Sequence, residues 1–125
     1  MTDGIRLNLV VLRAEEPERL AGFYAALGLS FETHRHGKDG PEHQAAEVGG
    51  LVFEIYPHAG GTPTAGTRVG FTVSESVDAA VARLVEAGGN VVSPPKSSPW
   101  GRRAVLTDPE GHRVELTESS LEGAG

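Results

Sequence analysis

The sequence predicts a single α+β domain made of two tandem strand-helix-three-strand modules whose sheets wrap around a cleft. Three observations carry this. Two amphipathic helical stretches are each preceded by one apolar strand and followed by three more. A connector of small residues and proline lies at mid-chain, and a length of 125 residues suits one buried core.

Module one covers residues 5–58, the linker 59–66 and module two 67–118 of a domain spanning 1–125. Residues Ile5 to Leu12, dominated by β-branched and leucine side chains with Asn8 at an alternating position, read as a strand. Leu20, Phe23, Tyr24 and Leu27 recur at helical spacing from Pro17 onward, and Gly28 ends that helix. Three strands follow: Leu29 to His34, Glu42 to Val48 after a glycine-rich turn, and Leu51 to Tyr56 after Gly49 and Gly50. The pattern restarts with a strand from Thr67 to Val73. A helix from Ser74 to Ala87 places Val77, Ala80, Val81, Leu84 and Val85 on one side. Strands at Asn90 to Val92, Arg102 to Thr107 and His112 to Thr117 close the second module. Both ends are short of apolar pattern and read as loose.

Composition excludes several classes of function. The longest apolar runs fall far below the roughly 20 residues of a membrane span, so no membrane partner is expected. The start carries no basic and apolar signal-peptide pattern, which makes the cytoplasm the expected compartment. Without cysteine there is no disulfide, thiolate nucleophile or cysteine-bound zinc. A formal charge of −6 with no basic stripe argues against nucleic acid. That balance would suit a cationic ligand, although solubilising the surface is its simpler role.

Strand alternation then assigns faces. With Leu7, Leu9 and Val11 under the first helix, Asn8 and Val10 point away from it. Glu54 and Tyr56 oppose Phe53 and Ile55. In the second half Arg68 opposes Val69, and Glu115 lies between Val114 and Leu116. Superposing the halves pairs Asn8 with Arg68 and Glu54 with Glu115, four polar side chains on one concave face.

Phe23-Tyr24-Ala25-Ala26-Leu27-Gly28-Leu29 at the end of the first helix resembles a motif of the vicinal oxygen chelate superfamily. So does Pro99-Trp100-Gly101-Arg102-Arg103 leading to Asp108-Pro109-Glu110-Gly111-His112-Arg113-Val114-Glu115-Leu116. This superfamily includes glyoxalase I, extradiol dioxygenases and bleomycin-binding proteins. The resemblance covers nearly the whole chain. It implies paired βαβββ modules, a curved eight-stranded mixed sheet around a cleft, and commonly a homodimer. Metal-using members place two histidines in the first strand of each half and glutamates in the last; the matching positions here are Asn8, Arg68, Glu54 and Glu115. A guanidinium has no lone pair for a metal and asparagine binds only weakly, so the usual site is broken and no cofactor is favoured.

His43 opens the strand after the glycine-rich turn and shares a face with Ala45 and Glu47 if alternation holds. With Glu54 and Glu115 it would make the alternative, a three-donor site for a divalent metal ion. Tyr56 offers a hydroxyl near Glu54 or merely packs at an edge. Trp100 stacks on a planar or cationic ligand, or anchors its loop. Arg103 pairs with a ligand carboxylate or with Asp108. His34, His36, His58 and His112 read as bystanders, and Phe23 and Tyr24 as core.

The leading expectation is a metal-free binding protein for a cationic or aromatic small molecule, similar to the drug-sequestering members, with Asn8, His43, Glu54, Tyr56, Arg68, Trp100, Arg103 and Glu115 lining the pocket. The alternatives are a metal-dependent lyase or dioxygenase acting on vicinal oxygens, and a metal-free enzyme using Glu54 or Glu115 as general base.

Overall fold

A computed structural model describes residues 4–35, 37–58 and 61–119; the chain ends, His36 and linker residues 59 and 60 lie outside the described residues. The elements run β1 (Leu9–Ala14), α1 (Pro17–Leu27), β2 (Phe31–Arg35), β3 (Glu42–Val48), β4 (Leu51–Pro57), β5 (Arg68–Val73), α2 (Val77–Glu86), β6 (Asn90–Ser98), β7 (Gly101–Thr107) and β8 (Arg113–Glu118). The fold is α+β with the predicted repeat. Its eight strands divide into two hydrogen-bonded sheets of four, ordered β1-β4-β3-β2 and β5-β8-β7-β6. In each sheet the first and last strands of the module pair parallel, β1 with β4 and β5 with β8, and the remaining pairs are antiparallel.

Local chemistry sets the helix ends. Pro17 sits in the first turn of α1, where its missing N–H costs nothing. The Glu110 carboxylate accepts from the N–H groups of Glu15 and Glu16 at 3.0 and 3.2 Å, so the second module caps the first module's helix. Gly28 closes α1 at φ 126°, which a side chain would resist. In α2, Ser76 Oγ accepts from Ala79 N–H at 3.2 Å and Glu118 Oε1 from Val77 N–H at 3.0 Å.

One core joins the halves. Leu20, Phe23 and Tyr24 of α1 and Val77, Ala80 and Leu84 of α2 bury with Leu12, Phe53 and Ile55 of the first sheet and Leu106, Val114 and Leu116 of the second. Each fully buried aliphatic or aromatic side chain of this kind contributes about 1.5–3 kcal/mol. Tyr24 lies at its centre, with ring centroids 5.0 Å from Phe23, 5.1 Å from Phe53 and 5.9 Å from Phe71.

The first strand corrects the sequence reading in two ways. It begins at Leu9 rather than Ile5, and its phase is inverted: Val10, Leu12 and Ala14 face the core, while Leu9, Val11 and Arg13 point away. Apolar residues of both parities run from Leu9 to Leu12, so alternation within that stretch was uninformative. Arg13 and the buried Ala14 break the tie. Strand β6 also runs on to Ser98, beyond the predicted Val92. It is an edge strand, and the ladder shifts register around Pro94 and Pro95, where no N–H is available.

Candidate functional site

Away from the shared core, the two sheets carry two separate polar clusters. On the first sheet, pairing aligns Arg13 with Tyr56 and His34 with His43. The Tyr56 ring stacks on His43 at 4.2 Å with planes 6° apart, Arg13 lies over Tyr56 at 5.7 Å, and His34 meets His43 edge-on at 5.9 Å. His43 is fully buried, its Nε2 3.6 Å from the Glu54 carboxylate. Burial, with the nearby Glu54 charge and against Arg13, holds the Tyr56 hydroxyl above the usual phenol range.

The second sheet carries Arg68, Arg103 and Glu115. Glu115 Oε1 accepts from Arg68 Nη2 and Nε at 2.8 and 3.2 Å and pairs with Arg103 Nη2 at 3.0 Å. These bonds, Arg68's first, hold the Glu115 carboxyl below the usual carboxylate range. Arg103 therefore pairs with Glu115 and not with Asp108. A cavity of about 610 Å³ adjoins Arg103, lined by residues 93–98 with Ala104 and Val105. A second of about 430 Å³ lies between the edges of β1 and β5, with Leu7, Phe53, Arg68 and Phe71 in its wall. Another hollow, of about 750 Å³, lies against the start of α1 and includes none of the predicted site residues.

Asn8 precedes β1 and shares the parity of Val10; its carbonyl accepts from Val52 N–H at 2.9 Å. Trp100 is 83% exposed in the β6–β7 turn, so it does not anchor that loop by packing. His112 is no bystander: it is fully buried with Nδ1 2.9 Å from Asp108, and its Nε2 meets Thr64 Oγ1 at 2.7 Å. Sequence reasoning missed Arg13, Lys96 and Arg113. Arg13 was hidden by the inverted phase of β1, and Lys96 by ending β6 too early.

A three-donor metal centre does not fit this arrangement. His43 and Glu54 adjoin, but Glu115 is engaged by two guanidinium groups on the other sheet. Among the described residues no three His, Asp or Glu side chains converge.

Comparison with known proteins is consistent with this frame. Residues 9–117 match the family model described as a glyoxalase-like domain. Two curated relatives are anthracycline biosynthesis proteins. DauV of Streptomyces sp. (strain C5) is 38% identical over 112 residues, 78% of this chain and 35% of the relative. DnrV of Streptomyces peucetius is 42% identical over 84 residues, 54% of this chain and 30% of the relative. The chain thus spans about a third of the length of these relatives. Among solved structures, TnmS3, an antibiotic binding protein from Streptomyces sp. CB03234, superposes with TM-score 0.69 at 25% identity, covering 96% of this chain and 100% of TnmS3.

Proposed function

Since this chain belongs to the glyoxalase-like domain family, we propose that it is a small-molecule-binding protein of the bleomycin-resistance type that works without a metal. The observation that carries this reading is the commitment of Glu115 Oε1 to Arg68 and Arg103. A carboxylate already compensated by two guanidinium groups has no need of a cation, and displacing them would leave charges unpaired. Arg68 also stands where the superfamily resemblance places a histidine ligand.

The names of the relatives support the ligand class. Two are anthracycline biosynthesis proteins and a third is an antibiotic binding protein, so the proposed ligand is an aromatic natural product of drug size. A cavity of about 610 Å³ has the size that drug-like molecules occupy. A homodimer belongs to the same reading.

The test is metal content. Protein purified without chelators or affinity-tag metals should contain less than about a tenth of an equivalent of any transition metal, by mass spectrometry, with Glu54→Gln and Glu115→Gln leaving that value unchanged. A near-stoichiometric metal lost from either variant would sink the proposal and favour a lyase or dioxygenase.

A further inference from the structure

The outward face of the second sheet has a charge that the composition conceals. Alternation about the buried Val114 and Leu116 points Arg113, Glu115 and Thr117 away from the core, and alternation about Ala104 and Leu106 does the same for Arg103. Arg68 lies on the same side of β5, and Lys96 pairs with Arg103 across β6 and β7. Among the described residues the face thus sets four cationic side chains against one carboxylate, Glu115, in a chain whose formal charge is −6. Neither Lys96 nor Arg113 has an acidic partner among the described residues, whereas Glu115 engages the other two. The first sheet is opposite in sign: Glu32, Glu47 and Glu54 share its outward face with Arg13.

The setting suits an anion. Glu115 Oε1 takes Arg68 Nε and Nη2 and Arg103 Nη2, and the other N–H groups of these two half-exposed guanidinium groups can meet an oxyanion. Lys96 and Arg103 line the cavity of about 610 Å³ together with Ser93 and Ser97, whose hydroxyls can donate to the same group, while the Ser98 hydroxyl donates to the Gly101 carbonyl at 2.9 Å. Pro94, Pro95 and Val105 supply apolar wall for a ring. We propose that this face binds the ionised carboxylate of an aromatic small molecule. The proposal rests on the small-molecule-binding reading and names the ligand class for it. It opposes the expectation of a cationic ligand, which followed from the net charge and from Trp100 as a stacking face.

Titration calorimetry with naphthoate and its neutral isostere naphthamide separates the two ideas. Naphthoate should bind the full chain more tightly than naphthamide. Lys96→Gln, in the cavity wall, should weaken naphthoate about two- to fivefold, and Arg113→Gln, exposed but four residues along β8 from the partner of Arg103, should weaken it less than twofold. Raising salt to about 0.5 M should weaken it further. Glu115→Gln, which removes the only carboxylate on the face among the described residues, should tighten naphthoate about three- to tenfold, while naphthamide responds to none of these changes. If Glu115→Gln weakens naphthoate, or Lys96→Gln leaves it unchanged, the anion site is overturned. Continued naphthamide binding in that case would leave the binding-protein reading standing, whereas binding of neither compound would reject both.

Discussion

Asp108 shows how much one side chain in a turn can hold together. Its carboxylate accepts from the Tyr24 hydroxyl at 2.7 Å, from the Glu110 and His112 N–H groups at 2.9 and 3.0 Å, and from His112 Nδ1 at 2.9 Å. Desolvation pushes its pKa up, but the hydrogen bonds from His112 and Tyr24 outweigh this and hold the carboxyl below its ordinary value. A depressed folded pKa gives stability that is present above the unfolded value of about 3.9 and lost as pH falls through the folded value. Asp108→Asn should therefore cost roughly 1–3 kcal/mol at neutral pH, and flatten the loss of stability below about pH 4. Denaturant melts of both proteins across that range check this, and an equally steep acid limb in the variant would refute it. The Asp-Pro-Glu-Gly-His turn was legible in the sequence as a motif. That Tyr24, 84 residues earlier, donates to it was not, because only folding brings helix and turn together.

At the scale of elements, α2 meets its surroundings through Gly89. A Cβ there would stand 2.8 Å from Phe23 Cε1, 3.0 Å from the Leu84 carbonyl and 3.2 Å from that of Thr107. Helices α1 and α2 and strand β7 converge on that point, and two of the three obstacles are backbone that cannot swing aside. Gly89→Ala should destabilise the fold by about 1–3 kcal/mol, the usual range for overpacking. Thermal unfolding measures it, and an unchanged midpoint would mean the elements can separate without penalty. The glycine pair at the end of this helix was readable as punctuation. Its tight contact with Phe23 was not, since no local pattern reports the approach of a distant ring. Both helices and six of the strands were legible within a few residues. The errors fell where local signals were weak: the doubly apolar start of β1, and the proline-broken edge strand β6.

At the scale of the whole molecule, a common core makes each module depend on the other, since Tyr24 of the first packs on Phe71 of the second and Glu110 of the second caps the first module's helix. Outside that core, Ile5, Leu7 and Leu9 remain 74%, 70% and 47% exposed beside the edge strand β1. Apolar side chains at a sheet edge favour association with another surface. The proposed homodimer should read as about twice 13.1 kDa by light scattering at micromolar concentration, and Leu7→Glu with Leu9→Glu should shift it toward one chain. A wild-type mass of one chain at such concentrations would reject this. The sequence by itself determined the repeated order of strands and helices and the parity of β4, β5 and β8. Hydrophobic alternation and turn chemistry are local, and in these strands only one parity is apolar enough to bury. Tertiary structure alone decided how the polar residues group. Strand pairing across each sheet joined His43 to Tyr56 and Glu54, and Arg68 and Arg103 to Glu115, because contacts between distant strands depend on register, which no single stretch of sequence records.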